Sequence, residues 1–337
     1  MIKLLFNLSV FFLFLGMYFM ATPLGLALEN SQKIDLISHP THFPIKAYRI
    51  HYKGSFSQIR QGLLLLPENQ DNKPLPSLVY LHGHGSSALK AAFDETGADH
   101  AVGAKAASQG MVVFLPDLPS FEKSNGYHYR FVKHTVWEKT SLMDQFISEA
   151  RIAQDILETV SQSPNNLFKL SAQKNMISGL SLGGLVALAA GSQDNRFEWV
   201  GIYGQFLNDE MIHSNQHHSC QHQLKIPYDN PQWLTPRFST RTLHIIFGEK
   251  DEFFGPGFLE PLKKLTETMR QAGQTVCLGP DYQATKNFFD ENLSLKWNPD
   301  TKCSLVIEID PKAGHEIIGL GKNPEKVWNT KTLGIDL

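Results

Sequence analysis

Charge is scarce in this chain and almost balanced. Asp, Glu, Lys and Arg make up 19% of its 337 residues, and 31 basic against 33 acidic side chains leave a formal net charge of −2. No run of Lys and Arg forms a basic patch, so electrostatics offers neither nucleic acid nor a membrane surface as a partner. Bulk charge therefore does not select the substrate. Internal repeats and low-complexity tracts are absent as well. Cysteine occurs three times, at positions 220, 277 and 303. What is plentiful is apolar: 42% of the residues are hydrophobic, ample for the core of one large α/β domain or two small ones.

The longest apolar run lies at the start. Lys3 precedes residues 4–20, which are almost without polar groups, and Ala21-Thr22-Pro23 and Gly25-Leu26-Ala27 follow. This is the pattern of a secretory signal peptide cleaved after Ala27. A run of this length is also compatible with an uncleaved membrane anchor. Loss of Lys3 takes the formal charge from −2 to −3. In both readings the remainder, a single domain over 28–337, works outside the cytoplasm, secreted or periplasmic. No stable membrane insertion is expected once the signal is removed. Export gives the cysteines a meaning, because Cys277 and Cys303 flank a polar excursion and are expected to close it as a disulfide loop. Pairing of Cys220 with either one is the alternative.

Along the mature chain, 47–52 and 59–66 are β-prone runs expected to form a hairpin, and 78–81 is a short buried strand. It ends in His82-Gly83-His84-Gly85-Ser86-Ser87. Residues 98–108 are alanine-rich at helical spacing, and 111–115 reads as the next strand, closed by Pro116-Asp117. Leu142, Phe146, Ala150, Ala153, Leu157 and Val160 recur at three- and four-residue steps, which is one face of an amphipathic helix. Further strands are expected at 176–177, 199–203, 243–247 and 305–309, with a helix at 259–269. Strands alternating with helices imply a mostly parallel, twisted sheet covered on both faces. Two insertions interrupt it: a loop or cap at 205–240, after the sixth strand, and the excursion at 278–302.

Three strand ends carry chemistry. After the strand at 176–177, Gly179-Leu180-Ser181-Leu182-Gly183 has the G-x-S-x-G form of a nucleophile held in a sharp strand-to-helix turn, where any side chain beside the serine is crowded. Asp251 follows 243–247 and a glycine-containing turn, and His315 follows the last strand and Gly314. A serine hydroxyl is a poor nucleophile unless a neutral imidazole takes its proton and a carboxylate orients that imidazole. Asp209 and Asp310 compete with Asp251 for the acidic role.

From 47 onward the chain resembles the α/β-hydrolase superfamily. The resemblance is carried by His82-Gly83-His84-Gly85, Gly179-Leu180-Ser181-Leu182-Gly183, the turn at 248–251 and Gly314-His315. Together with the N-terminal hairpin and Pro116-Asp117, these motifs are most similar to the dienelactone-hydrolase and acetylxylan-esterase branch. The resemblance implies Ser181 as nucleophile, His315 as base and then acid, and Asp251 as its orienting partner. It also implies an oxyanion hole of the backbone N–H groups of Leu182 and His84. In that case His82 packs or hydrogen-bonds beneath the loop, and neither His82 nor His84 is the catalytic base.

His213, His217, His218 and His222 with Cys220 are spaced closely enough to raise zinc binding, but their segment has no apolar periodicity. A polar cap loop is the simpler reading, so neither metal nor cofactor is expected. Tyr127, Tyr129, Phe131 and Trp137 offer an aromatic surface for a sugar or acyl group, or an ordinary packed loop. The expected activity is hydrolysis of a small-molecule or carbohydrate ester through an acyl-enzyme. The rivals are a peptidase or lactonase with the same triad, and a noncatalytic binding protein on the same fold. Specificity is expected to reside in 118–137, 205–240 and the excursion before Cys303. No pattern in the chain speaks to oligomeric state.

Overall fold

The computed structural model describes residues 33–38, 42–70, 73–119, 141–163, 166–205, 227, 229–251, 258–279, 302–310 and 313–314. The leader at 1–27, the aromatic segment 120–140, the His-rich 206–226, most of the 278–302 excursion, and His315 lie outside them.

The strands are β1 (Lys33–Ile37), β2 (Ile45–Lys53), β3 (Ile59–Pro67), β4 (Leu75–Leu81), β5 (Val112–Pro116), β6 (Leu170–Leu180), β7 (Trp199–Tyr203), β8 (Thr242–Gly248), β9 (Val276–Leu278) and β10 (Leu305–Asp310). Between them run α1 (Ala88–Phe93), α2 (Val102–Ser108), α3 (Leu142–Gln162), α4 (Leu182–Gln193), α5 (Pro231–Leu234) and α6 (Leu259–Gln271). They form one sheet in the order β1-β2-β3-β5-β4-β6-β7-β8-β10-β9. The edge from β1 to the β3–β5 pair is antiparallel, and every pairing from β5–β4 onward is parallel.

Parallel strands need crossovers, and the crossovers cover both faces. That is why β4 and β8 are buried along their whole length instead of alternating. On one face α3, α4 and α6 pack with Phe146, Ile177, Leu185, Leu243 and Leu262 in the main core. On the other, α1 and α2 set small alanines against Leu65, Leu78 and Tyr80. The six periodic residues expected to face the core from α3 are all buried. A capping box begins that helix, with Asp144 N–H donating to Ser141 Oγ at 3.0 Å and Ser141 N–H returning to Asp144 Oδ2 at 3.3 Å. The expected hairpin is present as β2 and β3.

The structure differs from the sequence reading in four places. β1 adds an edge strand in front of the hairpin, so the 205–240 insertion follows the seventh strand of the sheet and not the sixth. Burial alternates along β1, but its apolar Ile34 and Leu36 fall on the exposed face, Leu36 at 70% exposure, so polarity does not mark the strand. The run 98–108 is helical only from Val102, because His100 and Ala101 adopt positive φ of 48° and 53° and break the helix before it starts. α1, capped by Ser87, comes before that break. The excursion to Cys303 leaves from a real strand, β9, which pairs parallel to β10. Within the first insertion, Pro231–Leu234 and the 3-10 turn Thr235–Phe238 return Leu234 and Phe238 to the core.

Cys277 and Cys303 are joined, with Cα atoms 6.0 Å apart, and the bridge packs with Val306 against Trp199. The expectation of this pair over any with Cys220 is borne out.

The chain reverses its direction of travel across the sheet at β4. From β4 it steps outward through α1 and α2 to β5, then back over β4 through α3 to β6. The crevice above the carboxyl ends of β4 and β6 is such a topological switch point, where ligands bind in open α/β sheets. Here the backbones nearly touch. A Cβ on Gly183 would stand 2.0 Å from Leu81 O, and one on Gly179 would stand 2.4 Å from Gly183 C. α4 can leave the end of β6 at this angle only because neither residue has a side chain.

The packing sets the cost of three substitutions. Gly183→Ala lowers the unfolding free energy read from a denaturant titration by about 1–3 kcal/mol or more, since backbone and not a flexible side chain is in the way. Gly273→Ala, at φ 74° with nothing within 4 Å of its Cβ, costs less, about 1 kcal/mol. Replacing both Cys277 and Cys303 by Ser removes a crosslink over 26 residues; chain entropy then predicts a loss of about 3.5 kcal/mol, read in the same titration.

Candidate active site

Ser181 is the hinge between β6 and α4, at φ 54° and ψ −119°, a conformation L residues avoid. Ser181 N–H donates to Tyr203 O at 2.8 Å, and Ser181 O accepts from Leu185 N–H at 3.1 Å as the first bond of α4. The strained residue is thereby tied to the next strand and to its own helix. It is 4% exposed. Leu182 opens α4, so its N–H is among the first-turn donors without a helical partner, at the positive end of the helix dipole. At the other end of α4, Arg241 Nη1 donates to the carbonyls of Gly191, Asp194 and Phe197 at 2.7, 3.0 and 3.1 Å. A cation there complements the negative end of the dipole and anchors the helix.

The turn after β4 runs across this elbow. A Cβ on Gly83 would lie 2.9 Å from Leu180 O and 3.4 Å from Ser181 Cβ. Ser86 N–H returns to Gly83 O at 3.3 Å, and Gly85 has φ 76°. Positive φ at the third residue is what a type II turn requires, hence glycine. His84 is the second residue of that turn, half-buried beside the serine.

His82 is buried below it. Its Nδ1 lies 3.2 Å from Gly83 O and its Nε2 accepts from Leu118 N–H at 3.4 Å. These partners fit a neutral ring with the proton on Nδ1. Burial lowers its pKa, with the Gly83 carbonyl and the Asp99 charge opposing. His82 thus braces the turn against the segment after β5, the role the sequence suggested for it.

Asp251 closes the turn after β8, its N–H donating to Gly248 O at 3.2 Å, and is 2% exposed. The segment after β10 meets that turn: Lys250 N–H donates to Ala313 O at 3.0 Å, and a Cβ on Gly248 would stand 2.3 Å from Gly314 O. The residue before His315 therefore lies against the turn that carries Asp251. His315 and the competing Asp209 lie outside the described residues. β7 separates β6 from β8, and Tyr203 at its end is fully buried between the two ends that carry Ser181 and Asp251, with burial pushing its phenol pKa up.

Sequence reasoning missed Asp99, which is 2% exposed and accepts from Tyr80 and Ser86 in the same crevice wall. No local pattern marks it, because 98–108 reads as one helix. Among the described residues no group of three or more His, Cys, Asp or Glu could hold a metal ion, and the histidines at 213–222 lie outside them. No helix of the described residues is long and apolar enough to cross a membrane.

Comparison with known proteins agrees with this geometry. A search of curated proteins finds no match. Among solved structures, an S-formylglutathione hydrolase from Agrobacterium tumefaciens is similar over 90% of this chain and 100% of its own, with TM-score 0.53 and 12% identity. An S-formylglutathione hydrolase from Staphylococcus aureus covers 88% of this chain and 100% of its own at TM-score 0.50 and 15% identity. A puromycin-hydrolyzing peptidase from Mycobacterium tuberculosis matches 89% of this chain with 41% of its own, at TM-score 0.51 and 14% identity. At these identities the likeness is one of fold. The Esterase family model, described as "Putative esterase", matches residues 55–317. That span is well over half of the chain and includes every site motif, so the protein belongs to this esterase family and is a carboxylic ester hydrolase of α/β-hydrolase fold.

Proposed function

We propose that this protein is an exported serine esterase that acts through Ser181, His315 and Asp251. His315 takes the proton of Ser181 Oγ as that oxygen attacks the ester carbonyl, and Asp251 keeps the imidazole in the tautomer that can accept it. Negative charge on the carbonyl oxygen is met by the N–H groups of Leu182 and His84, donors fixed before the charge develops. His315 then protonates the departing alkoxide, and water resolves the acyl-enzyme by the same steps in reverse. The substrate is a small-molecule or carbohydrate ester, with specificity set by 118–137, 205–240 and the excursion before Cys303.

The observation that carries this reading is the strain at Ser181. A buried serine at φ 54°, at the N-terminus of a helix buried from Leu182 through Ser192, with no room for a side chain at Gly83 beside it, is costly to build. Strain of this kind gathers at working residues. The contact between the 248–251 turn and Ala313-Gly314 supports Asp251 as the acid. The apolar run at 4–20 and the disulfide, which persists in oxidising compartments, support export with cleavage after Ala27.

A fluorophosphonate labels the native protein and not Ser181→Ala; equal labelling of the two removes the serine mechanism. Ser181→Ala and Asp251→Asn each lower kcat for an aryl acetate by about 10⁴-fold or more. Because one structural neighbour is a peptidase, aminoacyl amides are assayed beside the acetate, and faster turnover of amides would replace esterase by peptidase. Mass spectrometry of protein recovered from the exporting cell shows Leu28 as the first residue; an intact N-terminus would mean an anchor instead.

A further inference from the structure

Asp99 is far from the triad in sequence and belongs to no motif, yet the chain distorts itself to place it. The two residues after it, His100 and Ala101, both have positive φ, 48° and 53°, and neither is glycine. Consecutive left-handed L residues persist only where the surroundings over-determine them. Here the brace is the Asp94 side chain, whose Oδ1 accepts from Thr96 N–H, Thr96 Oγ1 and Gly97 N–H at 3.0, 2.8 and 3.1 Å. Ala101 N–H then closes on Asp94 O at 2.9 Å. The result turns the Asp99 carboxylate inward, 2% exposed, beneath the turn after β4.

One of its oxygens reaches Tyr80 in β4, ahead of that turn, and the other reaches Ser86 at its end. Tyr80 Oη donates to Oδ1 at 2.7 Å from the penultimate position of β4, two residues before His82. Ser86 Oγ donates to Oδ2, and the Ser86 N–H closes the turn on Gly83 O. One carboxylate therefore clamps the residues on either side of Gly83-His84-Gly85. Burial raises the Asp99 carboxyl pKa while the hydrogen bonds from Ser86 and Tyr80 oppose it. The Tyr80 phenol is raised well above its ordinary value, first by burial and then by Asp99 itself, so it remains a donor.

We infer that Asp99 is a positioning residue for ester hydrolysis, holding the His84 N–H on the oxyanion through Tyr80 and Ser86. This rests on the reading of His84 as an oxyanion donor. An ionised carboxylate accepts on both oxygens. An amide of the same size presents donors on one side, so either Tyr80 or Ser86 would have to turn its O–H away. Asp99→Asn thus keeps the volume and releases one end of the clamp.

The test compares the parent enzyme with Asp99→Asn, Ser86→Ala and the double variant, reading kcat and KM for an aryl acetate, the fluorophosphonate labelling rate and thermal stability. A donor displaced and not removed lowers kcat and the labelling rate together, by about 10–100-fold, with KM within about twofold. The double variant is then no slower than Asp99→Asn, because both act on the same turn. An Asp99→Asn protein that melts lower but keeps kcat and labelling rate within about twofold of the parent makes Asp99 a structural tie only and overturns the inference. Where Asp99→Asn does not fold, Ser86→Ala, which removes a single hydroxyl, decides by the same kcat and labelling criteria. Loss of labelling at Ser181 in the parent would sink the serine mechanism itself, an outcome distinct from equal labelling of parent and variant.

Discussion

The backbone of Leu81 lies so close to Gly183 that no side chain fits between them, and the end of the sheet that carries Ser181 is arranged around that contact. Leu81 ends β4 and Gly183 lies in the first turn of α4, so the strand and helix meet directly above the switch point of the sheet. Any side chain at Gly183 or Gly179 would push α4 away from β6 and open the turn between them. With both absent, Ser181 is forced into a conformation of its own, and the free N–H groups of the α4 N-terminus are brought beside it. Stability for that strained junction comes from elsewhere: α4 is buried on all sides, and Arg241 holds its far end.

The same contact sets the geometry of the neighbouring loop. Because β4 and β6 are adjacent and parallel, with Leu81 opposite Gly179, the turn after β4 has nowhere to go but across Ser181. A side chain on Gly83 would meet Leu180 O and the serine Cβ, His82 pins the turn from below through Leu118, and Asp99 grips it from the side. These three supports constrain the turn in three directions. On the other side of Ser181, strand order supplies the spacing: one strand intervenes before the end that bears Asp251, and the end of β10 lies directly beside that one.

Much of this was legible in the chain. The six-residue stripe of α3, the hairpin, the elbow glycines and the cysteine pair could all be read because each depends on neighbours in sequence: a helical period, an alternation, a turn needing glycine, a loop closed by its ends. β1 and β9 could not. Both are short edge strands whose only signal is the partner they pair with, and that partner is distant in the chain or, for β1, leaves apolar residues such as Leu36 facing solvent. The alanine-rich run at 98–108 misled for a related reason. Its helical spacing is real, but the turn braced by Asp94 overrides propensity at His100 and Ala101.

The amino-acid sequence alone determined the class of chemistry: a serine between two glycines at a strand-to-helix turn, with an acid and a histidine at later strand ends, suffices to name the reaction type because each feature is local. The tertiary structure decided which groups stand around that serine. Asp99 lies 82 positions before Ser181 and Arg241 60 positions after it. Their roles come from carbonyls and hydroxyls that approach them only when the sheet forms. A buried carboxylate or guanidinium has no sequence pattern of its own, since what makes it useful is the set of partners that folding delivers to it.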